Sequence, residues 1–480
     1  MFKLLVEREL KSIILSPKFV ATFGISSLLM LLSLFIGIQE YHHSVRTYET
    51  ALQLTERQLQ GEDSWWGIKN TVYRKPEAMQ VFVSGVDYDI GRLSQISTWT
   101  EIKLQNSSYS DDSLFAVFRF VDFTFIVQVV LSLFAILFTY DAINGERESG
   151  TLKLALSNAV PRSQFVLAKF VGSWIGLTVP ILIPMLLSVL AVILLGIPMS
   201  SDAWAKLGTL FFVSILYFTF FIALGIFVSA LTKRSSVSFL ILLVTWVALV
   251  LIIPRAATMA AGQLVHVDPV AEIDAKKDRF STDRWISYRK QRRQLDADRD
   301  QVTSSMTDDE EQAYRSANRT AWVQEEGDLR QITMEEIGLY ARKLDEARNN
   351  QKVLMQEVAF RMSRFSPSSS YQIAAMNLAG TNVEMKSRYE VAMRDYHSAF
   401  TKFVDGKRQE ERLKNQGRGG RRRDDGVKTL DLTELPRFQP PDYSYREAVA
   451  PSIVDMGLLA LYSLLAFAGA FVAFLRYDVR

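Results

Sequence analysis

The residues whose types and spacing suggest a specific chemistry lie between Tyr140 and Phe170, in the stretch YDAINGERESGTLKLALSNAVPRSQFVLAKF. Asp141, Glu146, Arg147 and Glu148 precede Gly150, Thr151 and Leu152; Leu154, Leu156, Pro161, Arg162 and Lys169 follow. The chemistry they suggest is docking, not bond-making. Acids early in a short helix and Lys153 later in it complement the helix dipole. The leucines offer apolar contacts to a cleft, and Gly150 permits a close backbone approach. An ordinary solvated loop is the alternative, and it leaves the leucines exposed without a use. Catalytic groupings are absent: no H-E-x-x-H, G-x-S-x-G or G-x-x-x-x-G-K-[ST] occurs. Of four histidines, His42 and His43 form the one suggestive pair. Neighbours on a helix project about 100° apart and chelate poorly, so a solvated pair is the plainer reading.

What must position the loop is apolar. Six windows of 18 or more residues lack Asp, Glu, Lys and Arg: Phe19–Ile38, Phe123–Tyr140, Phe170–Ser201, Leu207–Thr232, Ser235–Pro254 and Met456–Leu475. A bilayer core of roughly 30 Å needs about 20 apolar helical residues. The expectation is therefore an α-helical integral membrane protein with spans at 19–38, 121–140, 170–196, 207–232, 235–254 and 452–475. The first window is too long for a signal-peptide core and no small-x-small site follows it, which predicts an uncleaved anchor. The chain has no cysteine, excluding disulfides and thiolate metal sites, and a net charge of +3, too small to argue for nucleic acid.

Lysine and arginine in the short flanking segments set the orientation. Lys3, Arg8, Lys11 and Lys18 precede the first span; Arg147, Lys153, Arg162 and Lys169 lie between the second and third. Lys233 and Arg234 separate the fourth and fifth, and Arg476 and Arg480 follow the sixth. Opposite them, the short segment Gly196–Leu207 carries Lys206 alone. Both termini and the 141–169 loop are thus expected on the cytoplasmic side. That leaves 39–120 as a small mixed external lobe and 255–449 as a largely helical extracytoplasmic domain. Val270–Ser366 contains no proline, predicting long helices, with a start at Thr307 and Glu310. A turn at Ser366-Pro367, a short helix ending at Gly380, and a helix from about Val383 to Asn415 should follow. The glycine-rich stretch holding Arg421, Arg422 and Arg423 reads as a solvated loop tip, with phosphate or headgroup binding as the alternative.

Charge-free spans disfavour ion-coupled transport, which places ionisable groups within the membrane. Asp122 and Asp455 are expected at the outer ends of helices two and six, where a carboxylate is easily solvated or caps a helix. Pro180 and Pro184 free backbone carbonyls in the third span and predict a kink. The N-terminal 1–18 segment is expected as an amphipathic interface helix, with Phe2, Val6, Leu10 and Ile13 on one face and Arg8, Glu9 and Lys11 around it.

The loop resembles the segment between helices two and three of ABC-2 type permeases, the transmembrane subunits of many ATP-driven exporters. Its order is D-x-x-x-x-E-[RK]-E-x-G-T-L, then Pro-Arg and a lysine. The match is carried by Asp141, Glu146, Arg147, Glu148, Gly150, Thr151, Leu152, Pro161, Arg162 and Lys169. The resemblance implies a type V exporter-like topology. It implies that these residues, with Leu154, form a coupling helix seated in a groove of a nucleotide-binding subunit. RELKSIILSPKF resembles the interface helix of such permeases, implying that role for Arg8, Glu9, Leu10 and Lys11. Tyr73–Arg92 and Phe365–Thr381 resemble segments of a subset with a large external insert of unknown function between helices five and six. That insert occupies the interval in which simpler members have short re-entrant helices before the sixth span, so their exit-site geometry does not carry over.

The implied partners are two copies of an ABC ATPase, a second permease (identical or related), and membrane lipids. ATP and Mg would bind the ATPase, leaving no cofactor, metal or catalytic residue in this chain. The implied site is the cell's inner membrane, and the implied activity is ATP-driven export of a lipid-like, amphipathic or peptide substrate. Mechanotransmission to an external protein, or a membrane sensor with a helical external domain, are the alternatives.

Overall fold

The computed structural model describes residues 2–98, 104–106, 121–157, 160–416 and 430–476. The basic cluster Arg421, Arg422 and Arg423 lies outside them. Six helices among the described residues are long and apolar enough to cross a membrane.

Helix α1 (Phe2–Ile14) ends before Pro17, and α2 (Pro17–Gln60) begins there, with Ser16 Oγ accepting from the Phe19 N–H at 3.2 Å. The sequence reading stops the first span at Ile38 and expects a mixed lobe beyond it; α2 instead runs 44 residues to Gln60. Nothing between Gln39 and Gln60 breaks a helix, since neither proline nor glycine occurs before Gly61.

The second span starts at α3 (Phe123–Phe125), passes through a π segment (Ile126–Leu131) and continues as α4 (Ser132–Thr139). Asp122 caps it as expected, accepting from the Phe125 N–H at 2.8 Å, and also accepts from the Ser84 hydroxyl at 2.9 Å. Two short helices, α5 (Asn144–Glu148) and α6 (Thr151–Ser157), lead to the third and fourth spans, α7 (Arg162–Leu194) and α8 (Ser201–Leu231). Pro180 and Pro184 both lie inside α7.

The fifth span comprises α9 (Ser235–Trp246), a π segment (Val247–Ile252) and α10 (Ile253–Leu264), running past Pro254, where the sequence reading ends it. In the π register the Ile253 N–H reaches the Ala248 carbonyl, so the Leu249 carbonyl would await the N–H of residue 254. Proline has none. The Ser366 hydroxyl donates to that carbonyl instead, which lets the helix continue.

Unit one, Met1–Pro254 with Arg364–Arg480, is centred on α8. Its Leu210, Val213, Tyr217, Phe221, Ile222 and Ile226 are fully buried. Close helix approach depends on glycine: a Cβ on Gly225 would fall 1.8 Å from Thr139 Oγ1. The short helix α13 (Pro367–Ala379) ends at Gly380 (φ +75°) as expected. It packs among α8 and the sixth span, α15 (Tyr445–Leu475), burying Tyr371, Ala374, Ala375 and Leu378 completely. So a short buried helix does precede the last span, despite the long insertion. Helix α14 (Glu384–Gln416) carries a stripe of Met385, Tyr389, Met393, Tyr396, Phe400 and Val404 at three- and four-residue spacing. The stripe packs on Val72, Ile90 and Ile96 around a two-stranded antiparallel sheet of β1 (Asn70–Tyr73) and β2 (Leu93–Ile96).

The interval 255–449 is therefore not one domain: its part from Arg364 belongs with the spans and the sheet. Unit two, Arg255–Ser363, is a hairpin of α11 (Val270–Thr303) and α12 (Asp308–Ser363). Glu310 accepts from the Thr307 N–H and hydroxyl at 3.0 and 2.8 Å, as the acidic start predicts. Lys277–Asp345, the stacked Phe280–Tyr340 rings at 4.0 Å, and Arg299 with Glu325 and Glu326 set an antiparallel register.

Candidate functional site

The loop after the second span differs from the single short helix that the sequence suggests. Gly150 adopts φ +76° and divides it into α5 and α6. The left-handed conformation, not close packing, calls for glycine here, since a Cβ would meet nothing within 4 Å. Thr151 Oγ1 donates to the Glu146 carbonyl at 3.2 Å, bridging the break.

Most of the motif is turned into the chain itself. Lys169, 8% exposed near the start of α7, lies 2.5 Å from Glu9 of α1 and 2.7 Å from Glu146 of α5. One ammonium thus clamps three elements. Burial raises the Glu9 carboxyl above its ordinary range, and the Lys169 ammonium alongside opposes that rise. Helix α1 can reach this position because α7 offers small residues at a four-residue spacing. A Cβ on Gly172 would come within 2.7 Å of the Glu9 Cβ, and one on Gly176 within 3.3 Å of Leu10.

Glu148 stands at the end of α5, the wrong end for that helix's dipole, but at the start of α9. There its carboxylate accepts from the Ser235 N–H at 2.9 Å and the Ser235 hydroxyl at 2.8 Å. Buried Asn144 donates to Thr232 Oγ1 at 2.9 Å, and Ser229 Oγ accepts from the Ile143 N–H at 3.0 Å. Helix α5 is thereby fastened across the junction of the fourth and fifth spans. Arg162 Nη1 donates to the Leu475 carbonyl at 2.9 Å, closing the end of the sixth.

The remaining positions sort by exposure. Leu152, which the sequence reading offers to a partner's cleft, is 2% exposed and belongs to the chain's own core. Leu154 is 66% exposed, and Lys153, Ser149 and Gly150 are exposed beside it. Pro161 is exposed at the start of α7; Asp141 and Arg147 are half-buried, and the Asp141 carbonyl accepts from the Gly145 N–H at 2.9 Å. On α1, Glu9 and Leu10 turn toward α7, whereas Arg8 and Lys11 face outward, Lys11 paired with Glu7 at 2.8 Å. The structure thus brings Glu9, Glu146 and Lys169 together and leaves an exposed elbow at 149–154.

Sequence reasoning missed two features. Asn144 and Ser235 hold the elbow's base; the signal was an Asn one turn into the loop and a Ser directly after a charged inter-span pair. The other is a buried ion pair. Asp455 does not sit at a solvated helix end: it lies in the third turn of α15, with no exposed side-chain surface, and takes Arg364 bidentately at 2.8 and 3.0 Å. The Arg364 carbonyl accepts from the Tyr462 hydroxyl at 2.7 Å. No group of three or more His, Cys, Asp or Glu poised for a metal occurs among the described residues. His42 instead makes an edge contact with Tyr41.

Six apolar helices around a fastened inter-span loop define a multi-pass α-helical membrane protein. The chain belongs to the ABC-2 family of transporter proteins, whose family model (ABC-2 family transporter protein) matches residues 4–479. Over 125 residues it is 34% identical to a probable ABC transporter permease protein, NosY, of Stutzerimonas stutzeri. That alignment covers 26% of this chain and 45% of the relative, so the chain spans under half the length of the curated relative it matches.

Proposed function

We propose that the chain is the transmembrane subunit of an ATP-binding-cassette exporter and that the 149–154 elbow is its seat on the ATPase. The observation that carries this reading is the contrast between base and tip. Glu146, Glu148, Asn144 and Leu152 are used inside the chain, while Leu154 and Lys153 stand exposed on a base fastened to four of the spans. A docking surface that delivers force needs such rigidity, because a loose loop would absorb the displacement. Closure of two ATPase subunits, each holding ATP and Mg, would move the elbow. Through Lys169 it would move α1 and α7, and through Ser235 the fifth span. The second permease of the complex is a copy of this chain or a relative. The loop side and both termini face the cytoplasm of a cell with an inner membrane, as the basic flanks require. The transported molecule is lipid-like, amphipathic or peptidic, consistent with spans that carry few charges.

A second reading draws on the α11–α12 hairpin. Helix α12 has 56 residues, about 84 Å at 1.5 Å per residue, with very few of its side chains buried. A long polar hairpin of this kind suits mechanical action on an external protein as well as it suits export.

The test is co-purification with the native ATPase from membranes, with ATP hydrolysis measured, for wild type and Leu154→Asp. The account expects the variant to keep its fold and lose the ATPase. Retention of the ATPase at wild-type levels by Leu154→Asp would assign docking elsewhere.

A further inference from the structure

Beyond Ile38 α2 leaves the apolar window and lines a groove of about 750 Å³. One wall is Leu52 and Leu59 of α2, the other Leu432, Leu435 and Phe438. All four residues of β1, Asn70 to Tyr73, line it as well. Side chains of a strand alternate between faces, so four consecutive residues border one space only when the strand meets that space edge-on.

That edge is unpaired among the described residues. The sheet has two strands, and β2 lies on the other side of β1, itself bridged beyond by Gln105. The Arg74 N–H donates to the Arg92 carbonyl at 2.8 Å, which turns residue 74, and with it 72 and 70, toward β2. The N–H and C=O groups of Thr71 and Tyr73 therefore point the opposite way, into the groove. The volume falls within the range of ligand sites, and the lining mixes apolar walls with convergent polar groups.

We propose that this groove binds an extended peptide segment, which adds a strand to the free edge of β1 and sets alternate apolar side chains against the leucine walls. An acyl chain fits the walls but not the floor. It would strip water from four backbone groups and return no hydrogen bond, whereas a peptide strand pairs them. The groove lies within the membrane-helix unit and needs no contribution from the hairpin. The proposal stands independently of how the loop meets an ATPase.

The probe is a fluorescein-labelled heptapeptide of alternating threonine and valine, titrated onto the full-length protein in nanodiscs and read by anisotropy. Its analogue, N-methylated at alternate residues, keeps the side chains and loses the edge hydrogen bonds. Thr71→Pro deletes one outward N–H while leaving the ladder to β2 intact. Saturable binding is expected, weakened at least tenfold (~1.4 kcal/mol) by N-methylation and severalfold by Thr71→Pro. A fluorescent single-chain fatty acid should not compete. Absence of binding, equal binding of the N-methylated analogue, or displacement by the fatty acid each overturns the proposal. The wild-type comparison of the two peptides decides the matter even if Thr71→Pro does not fold.

Discussion

Replacing Lys169 with methionine keeps most of the apolar stem of the side chain and removes the charge shared by Glu9 and Glu146. Those carboxylates have 13% and 16% of their side-chain surface exposed, so water reaches them poorly and cannot take the lysine's place. Removing one partner of a buried pair typically costs about 3–5 kcal/mol. The lower end applies here, because burial already raises the Glu9 carboxyl and an orphaned Glu9 can take up a proton. About 3 kcal/mol corresponds to roughly a hundredfold change in a local equilibrium. The loss should be local, since α1 is held on α7 chiefly by this clamp and by Leu10 and Ile13 against Gly176. Hydrogen exchange read by mass spectrometry should therefore show α1 and α5 amides exchanging on the order of a hundredfold faster, with α8 unchanged. Adding Glu9→Gln and Glu146→Gln to Lys169→Met should restore most of the protection, because neutral groups of the same shape carry no unpaired charge. Unchanged exchange in the single variant, or a triple variant as open as the single, would refute the clamp.

Other substitutions probe the elbow and the buried pair. Gly150→Val places a β-branched residue at φ +76° and should cost about 1–3 kcal/mol, loosening α6 in exchange measurements, while Gly150→Asn is tolerated better. Asp455→Ala leaves Arg364 without its bidentate acceptor and should destabilise the detergent-solubilised protein by about 3 kcal/mol, read as a lower unfolding temperature. The double variant Asp455→Ala with Arg364→Leu should recover much of that loss, and a double variant no better than the single would mean that the pair is not what holds α15.

The spans were legible because the bilayer imposes one requirement on a long stretch, which composition alone reveals. The helices of the hairpin were legible for a similar reason, as Val270–Ser366 offers no proline to stop them. What the sequence hid were pairings across long separations. Glu9 and Lys169 are 160 residues apart, and Arg364 and Asp455 are 91 apart. Each looks like a flanking charge when read beside its neighbours. Leu152 and Leu154 illustrate the same limit within one turn: both are leucines of one motif, yet two residues apart on α6 they project to opposite sides, the first into the core and the second outward. The helices of the first and fifth spans run on past Ile38 and Pro254, because loss of hydrophobicity and a lone proline mark membrane boundaries, not helix boundaries. A hydroxyl from Ser366, distant in sequence, was enough to carry the fifth helix past its proline.

The central claim is that the 149–154 elbow seats on an ATPase, and the absence of native cysteine makes it directly testable. Leu154→Cys and Leu152→Cys, each the sole cysteine of the chain, would be labelled with a short maleimide–diazirine, which bonds to the cysteine thiol and on irradiation inserts into any adjacent residue, in native membranes and the products identified by mass spectrometry. The account predicts an adduct between Leu154→Cys and an ABC ATPase, diminished when ATP is trapped or released, and none from the buried position 152. Equal labelling of both positions, or no ATPase adduct from position 154 in membranes that contain the assembled complex, would contradict it.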